Sequence, residues 1–235
     1  MGRIFEKRKH KIFARMDKMA KAFTKIGKEI AMAVKQGGTD PNNNPRLRVA
    51  MQNAKGVNMP KDRVEAAIKR ATSKEEKDLS EATYEGYGPH GIAIMVDCAT
   101  DNPTRTVANL RMYFDRSGGA LGKSGSVEFM FDRKGVFKLD KQIVKLDEVE
   151  LDLIDLGAEE IQEAEDGIMV YTSFQDFGNM QKGLEEKGFA VISSEVQRIP
   201  TTTKELSDEQ VDDVLKLIEK LEEDDDVQNV FHNLA

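Results

Sequence analysis

The amino-terminal third of this 235-residue chain carries the pattern that most restricts its fold. Between Lys11 and Lys35, apolar residues recur at alternating spacings of four and three, which places them on one face of a helix. These residues are Ile12, Met16, Met19, Phe23, Ile26 and Ile30. Most of the charged residues lie off this stripe. The pattern therefore predicts a long amphipathic helix with one buried face and one basic face.

Charge is distributed very unevenly along the chain. Residues 1–75 hold 19 Lys and Arg against 7 Asp and Glu, a formal charge of +12. Residues 76–235 hold 16 against 35, a formal charge of −19, so the whole-chain value of −7 conceals a polarised molecule. A segment this basic favours a polyanionic partner, nucleic acid first. The alternatives are a solvated face and pairing with the protein's own acidic residues.

Two shorter helices are predicted to follow the first. One runs over about 45–55, where Asn44 suits the N-cap and Pro45 the first helical position. The other ends near Ala71. Residues 2–11 form a basic arm that is either mobile or an extension of the first helix. The three helices are small enough to pack as one bundle.

Beyond a polar linker at 72–82 the pattern changes to alternating strands and helices. Strands are predicted at 83–87, 92–98, 126–131, 135–139, 159–163, 168–172, 189–199 and 227–231. Helices are predicted after the cap at 102, over 149–156 and 174–187, and after the capping box at 207–210. From 135 to 199 the order is β-α-β-β-α-β, the split βαβ pattern.

The predicted fold class is α+β, with an N-terminal three-helix domain followed by two ferredoxin-like α/β domains, one inserted in the other. A lone helix and strand at the C-terminus cannot bury themselves, so they are expected to return to the unit that begins near Thr83. The predicted domains are 1–78, 79–133 plus 205–235, and the inserted 134–204.

The sequence offers little support for catalysis. The loop at 117–124 has serine where a phosphate-binding loop needs its first glycine, and it leaves a helix and enters a strand, the reverse of the required context. His10, His90 and His232 are isolated, and no spacing resembles a metal site. Cys98 lies in an apolar run and is expected to be a buried structural thiol. We expect a protein that is not an enzyme, without cofactor, metal or small-molecule substrate.

The remaining expectations concern location and contact surface. No apolar run could span a membrane and no secretion signal opens the chain, so a cytoplasmic protein without membrane contact is expected. For the oligomeric state, which the sequence leaves open, a monomer is favoured. Phe13 and Phe23 lie beside or on the apolar stripe, so phosphate contact is favoured over base readout. The candidate nucleic-acid-binding residues are Arg3, Lys7, Arg8, Lys9, Lys11, Arg15, Lys18, Lys25, Lys28, Arg46, Arg48, Lys55, Lys61 and Lys69.

Several sequence blocks, taken in order along most of the chain, resemble the YebC/PmpR family. They are Asp40-Pro-Asn-Asn-Asn-Pro-Arg-Leu-Arg48, Asn58-Met-Pro-Lys-Asp62, Tyr84-Glu-Gly-Tyr-Gly-Pro89, Thr100-Asp-Asn-Pro-Thr-Arg-Thr-Val107, Gly118-Gly-Ala-Leu-Gly-Lys-Ser-Gly-Ser-Val127 and Asp224-Asp-Asp-Val-Gln-Asn-Val230. The resemblance implies three domains and a non-enzymatic cytoplasmic protein. One departure is the stretch Arg3-Ile-Phe-Glu-Lys-Arg8, where many members have Ser-Lys-Trp.

The resemblance and the charge together give a first hypothesis and two alternatives. Family members are described as probable transcriptional regulators that bind DNA, so we expect a transcriptional regulator that binds DNA through its basic N-terminal helical domain. The alternative is a ribosome-associated translation factor that contacts ribosomal RNA with the same surface, because relatives have been linked to translation. A third possibility is an adaptor whose basic end binds an acidic protein.

Overall fold

A computed structural model describes residues 3–73 and 78–235, with side chains from residue 19 onward. The chain divides into two compact units, Met1–Asp78 and Leu79–Ala235. The first is helical, and the second contains every strand in the described part of the chain.

The first unit contains three helices, α1 (Arg3–Gly37), α2 (Pro45–Gly56) and α3 (Lys61–Ala71). Because α1 begins at Arg3, residues 3–11 extend the first helix. Among the described side chains of the apolar stripe, Ile26 and Ile30 are buried and pack with Leu47 of α2 and Val64 of α3. Small alanines fill the rest of this core and let the helices approach closely.

Asn44 joins the end of α1 to the start of α2. Its Oδ1 accepts a hydrogen bond from the backbone N–H of Leu47 at 3.0 Å, which confirms the predicted N-cap. Its Nδ2 donates to the carbonyl oxygens of Ala33 at 2.7 Å and Gly38 at 2.9 Å. One buried amide therefore satisfies backbone groups at both helix ends.

The second unit alternates strands and helices along the chain. In order they are β1 (Ser80–Tyr87), β2 (Ala93–Thr100), α4 (Pro103–Arg116), β3 (Ala120–Leu121), β4 (Phe131–Leu139), α5 (Leu146–Asp155), β5 (Ala158–Ala164), β6 (Gly167–Ser173), α6 (Phe177–Glu186), β7 (Val191–Pro200), α7 (Asp208–Glu223) and β8 (Val227–His232). Short 3-10 turns lie at Pro89–Gly91 and Glu128–Met130.

The strands form two four-stranded antiparallel sheets. The first has the order β3-β1-β2-β8, and helices α4 and α7 share an apolar core with it. Strand β8 closes this sheet by pairing with β2, as in the register Val96 to Val230. The predicted buried thiol, Cys98, lies in this core.

The second sheet has the order β5-β6-β4-β7, which is the spatial order of a split βαβ fold. Helices α5 and α6 contribute to its core, where Phe137 stacks on Phe177 with ring centroids 4.9 Å apart. All its strands come from residues 131–200, so the chain leaves the first sheet, builds the second and then returns.

A third buried cluster lies where the two sheets meet. Ala93 and Met95 of β2 pack there with Val127 and Phe131. Arg198 of β7 also reaches across, with Nη2 3.4 Å from the carboxylate of Asp97. Such shared burial makes the two sheets one compact unit. The domain boundaries given from the sequence stay predictions.

The α+β fold class is confirmed. One predicted strand is wrong: residues 126–131 do not form a strand, and β4 begins only at Phe131. The backbone N–H groups of Val127 and Glu128 bind the carboxylate of Glu85 instead of a neighbouring strand. A distant side chain has thus taken the donors that a sheet ladder would need.

Candidate nucleic-acid interface

The structure describes the side chains of only half of the candidate residues. The side chains of seven lie outside the described part of the structure, although their backbone belongs to α1: Arg3, Lys7, Arg8, Lys9, Lys11, Arg15 and Lys18. The other seven have described side chains and lie on all three helices: Lys25, Lys28, Arg46, Arg48, Lys55, Lys61 and Lys69.

The candidates on α1 are only partly available. Lys25 and Lys28 are half-buried, and each already interacts with another group of the protein. Both follow Met19 of the apolar stripe, which keeps 40% of its surface exposed. These lysines can supply charge near the surface, but changes to them would also disturb the helix packing.

The two arginines at the start of α2 brace the turn that precedes it. Arg46 donates from Nη1 to Oε1 of Gln36 at 2.7 Å. Arg48 donates from Nη1 to the carbonyl oxygens of Pro41 at 2.8 Å and Asn42 at 3.2 Å. The structure therefore gives both guanidinium groups a role in holding the α1–α2 connection.

The exposed candidates lie at helix ends. Lys55 is in the last turn of α2 and Lys69 in the last turn of α3, where a positive charge also complements the helix dipole. Lys61 opens α3, and its Nζ is 3.7 Å from Glu65 with both side chains largely exposed. An exposed pair of this kind contributes little to stability and leaves the ammonium group open to an anion.

Four further cations of the first unit are exposed but absent from the candidate residues: Lys21, Lys35, Arg63 and Arg70. Lys35 is paired with the carboxylate of Asp78 at 2.5 Å. Arg63 and Arg70 are seven residues apart on α3 and so lie on one face of the helix. The Arg63 guanidinium is 5.7 Å from the ring centroid of Phe23. Helical spacing from the buried Val64 places both arginines at the edge of the buried face, so the sequence pattern identifies them as exposed cations.

Among its described side chains the first unit therefore presents seven exposed cations and four exposed acids. Asp40 binds the backbone N–H of Asn42 at 3.0 Å and Nδ2 of Asn43 at 2.7 Å, so it belongs to the turn. This arrangement can neutralise phosphates, and its partly covered Phe23 offers no open ring for stacking.

Residues 3–73 and 78–235 contain no group of three His, Cys, Asp or Glu side chains placed to hold a metal ion. No helix in that part of the chain has the length and apolar character needed to cross a membrane.

The fold and the basic surface define a class of α+β proteins in which a basic three-helix unit precedes two antiparallel sheets. The chain belongs to the TACO1/YebC family. Residues 3–74 match the model of the TACO1/YebC protein N-terminal domain, and residues 79–234 match the model of the TACO1/YebC second and third domain.

Similar proteins cover nearly the whole chain. A protein of Cytophaga hutchinsonii is 60% identical over all of this chain and 99% of its own length, and one of Parabacteroides distasonis is 58% identical over all of this chain and 97% of its own. Both are named probable transcriptional regulatory proteins. A crystal structure of a conserved hypothetical protein from Aquifex aeolicus matches with a TM-score of 0.81 and 37% identity, covering 92% of this chain and 90% of that one.

Proposed function

We propose that this protein is a transcriptional regulator that binds duplex DNA chiefly by phosphate contacts from its basic N-terminal helical unit. The observation that carries the proposal is the charge of +12 on residues 1–75, with Lys55, Lys61 and Lys69 exposed at helix ends. Its relatives are named probable transcriptional regulatory proteins, which supports a role in transcriptional regulation.

The chemistry of the surface favours backbone contact over base reading. Lysine offers an ammonium point charge that suits phosphate oxygens, whereas direct readout usually needs bidentate side chains in a groove. Arg46 and Arg48 are engaged in the α1–α2 connection. Sequence preference, if the regulator has one, would then come from DNA shape and deformability.

The test is a triple variant, Lys55→Gln, Lys61→Gln and Lys69→Gln, in the full-length protein. Binding of a labelled 20-base-pair duplex would be followed by fluorescence anisotropy across a range of salt concentrations. If each lysine meets one phosphate, the slope of log K against log salt should fall in magnitude by about 2.7.

A matched control changes three lysines of the acidic unit, Lys145, Lys182 and Lys216, to Gln. They are similarly exposed, and each lies near a carboxylate of its own helix region. This control should bind as the unmodified protein does. Equal weakening in both triple variants would contradict the proposed site, and tighter binding of structured RNA than of duplex would favour the translation factor.

A further inference from the structure

Helix α5, which contributes to the core of the second sheet, exposes two aliphatic side chains on the side away from that core. Leu153 is fully buried, whereas Leu151 keeps 78% of its surface exposed and Ile154 keeps 51%. Because residues two apart lie about 160° apart around a helix, Leu151 lies opposite the buried Leu153. Residues three apart are neighbours on a helix surface, so Leu151 and Ile154 form one exposed apolar area.

Three exposed carboxylates surround this apolar area. Asp147 and Asp155 lie one helical turn before and after Leu151, and Glu150 lies one turn before Ile154. The five side chains are neighbours in space because one regular helix holds all of them. We call them together the α5 outer face: Asp147, Glu150, Leu151, Ile154 and Asp155.

Two lysines pair with α5, and both bind its other acids. Nζ of Lys145 is 3.4 Å from Glu148, and Nζ of Lys187 is 2.6 Å from Asp152. The helix itself has five acidic residues and no basic one. Asp155 lies in the last turn, where a carboxylate opposes the helix dipole and a cation would be favourable. Helix stability therefore does not explain the charge of the α5 outer face.

The core of the second sheet holds α5 in a fixed position. Leu153 belongs to the same buried cluster as Phe137 of β4 and Leu184 of α6. Leu156, which caps the end of α5, lies so close to α6 that a Cβ on Gly183 would overlap its side chain. A partner would thus meet a surface that is already ordered, which reduces the entropy that binding must overcome.

Net charge alone does not single out α5. Helix α7 holds seven acids and two lysines, which gives the same net charge of −5 as the five acids of α5. It exposes one large aliphatic side chain, Leu215, at 48%, and isolated exposed apolar residues are normal. Its two lysines lie 3.4 Å from Asp213 and 2.7 Å from Glu223. Of these two helices, only α5 combines neighbouring exposed aliphatic side chains with surrounding carboxylates, so α7 supplies matched controls.

We propose that the α5 outer face binds a basic amphipathic helix of a partner protein. The partner's aliphatic side chains pack on Leu151 and Ile154, and its lysines or arginines lie beside the three carboxylates. Aliphatic side chains packed between two helices, with ion pairs at the edges, are how amphipathic helices associate. The carboxylates favour a basic partner and repel nucleic acid, anionic lipid headgroups and the α5 of a second copy. This contact is separate from the duplex-binding surface of the first unit and does not depend on it.

The test uses the full-length protein and two fluorescein-labelled synthetic peptides. The first peptide has about 18 residues, with leucine at alternating spacings of three and four and lysine elsewhere, which gives a basic amphipathic helix. The second has the same composition in an order that removes the leucine stripe. Binding of each peptide is followed by fluorescence anisotropy.

We expect Leu151→Ser to weaken binding of the first peptide by about 5-fold to 30-fold, because an aliphatic contact is lost. Leu215→Ser is the matched control and should bind as the unmodified protein does. Since the chain has no tryptophan, Leu151→Trp adds a sole indole that reports burial. Its emission should move to shorter wavelength when the first peptide binds, while that of Leu215→Trp should not.

The charge of the α5 outer face is tested separately. Asp147→Asn, Glu150→Gln and Asp155→Asn together should weaken binding of the first peptide and make it less dependent on salt. The effect of the control should be smaller, and urea unfolding should be nearly unchanged in both variants because all the substituted positions are exposed. The control removes three exposed acids of α7: Asp212→Asn, Glu219→Gln and Glu222→Gln.

Four results with the peptides would overturn the proposal. They are equal effects of the substitutions on α5 and α7, equal affinity for the two peptides, binding of neither peptide, and an unshifted indole at position 151. Self-association of the unmodified protein that Leu151→Ser removes, measured by sedimentation velocity, would assign the face to a second copy and would also overturn it. Failure of the N-terminal lysine variants would not affect these readouts, so the two proposals can fail separately.

Discussion

At the scale of single residues, Asn44 shows how one side chain can hold a helical unit together. Its amide caps α2 and also binds two carbonyl oxygens at the end of α1. Removing it would leave buried backbone groups without partners, which costs more than the loss of an exposed hydrogen bond. Asn43 is a natural comparison, because its amide is exposed and binds only the nearby Asp40 among the contacts described.

We therefore expect Asn44→Ala to destabilise the first unit by about 2 kcal/mol and Asn43→Ala by much less. All four tyrosines lie in the second unit, at 84, 87, 113 and 171. Urea unfolding followed by far-UV circular dichroism should shift for Asn44→Ala, while tyrosine fluorescence should not. Equal shifts for the two asparagine variants would contradict the bridging role.

Glu85 is the corresponding residue in the second unit. Burial alone would raise the pKa of its carboxyl, but the hydrogen bonds from Val127, Gly125 and Glu128 outweigh burial and lower the pKa below the ordinary 4.5. With a folded pKa below the unfolded one, Glu85 stabilises the fold above about pH 4.5 and loses that contribution as the pH falls through its folded pKa.

Glu85→Gln should lower the free energy of unfolding of the second unit by about 1–3 kcal/mol near neutral pH, because an amide NH2 would face one of the loop N–H groups. Its stability should also change less than that of the unmodified protein as the pH falls below about 4.5. Urea unfolding followed by tyrosine fluorescence at several pH values measures both effects. An unchanged acid dependence would show that Glu85 has no such role.

At the scale of elements, the turn between α7 and β8 is tied to the start of α4. The Oδ2 of Asp226 accepts hydrogen bonds from Nη2 of Arg105 at 2.7 Å, Oγ1 of Thr106 at 2.8 Å and Oγ1 of Thr100 at 3.1 Å. Two of the motifs that carry the family resemblance thus meet in one buried network. Their role in this structure is to bind the C-terminal strand to the first sheet.

Asp226→Asn should destabilise the second unit by about 2–3 kcal/mol, since the buried network loses its charged acceptor. Asp212→Asn, an exposed position on α7, is the matched control and should have little effect. The tyrosine-fluorescence transition in urea distinguishes them, because Tyr84 and Tyr113 lie beside this core. Similar unfolding midpoints for both variants would show that the Asp226 network does not stabilise the turn.

At the scale of the whole molecule, charge polarity should dominate binding. Repulsion between the acidic unit and a duplex would confine contact to the basic unit, so affinity should depend steeply on salt. If about six cations meet phosphates, the slope of log K against log salt is about −5, and affinity falls roughly a thousandfold from 50 to 200 mM. Anisotropy titrations of a labelled duplex measure this slope. A slope near zero would argue for an acidic protein partner.

Helical and strand periodicity in the sequence determined most of the element types, the three-helix unit and the split βαβ order, and the pair Asn44-Pro45 determined the cap of α2. These features are local, because they depend on spacing within one element or on the residue next to it. The exposure of Phe129 and the engagement of Arg46 and Arg48 depend on groups that the chain brings together from elsewhere.

Tertiary structure alone decided how residues 126–131 fold. Their alternation fits a strand, but a strand exists only if its backbone donors find a partner strand, and Glu85 binds those donors from about forty positions away. In the resulting form, Phe129 keeps 74% of its surface exposed. Local pattern thus determined what each segment could form, and long-range hydrogen bonding decided which of those forms this segment took.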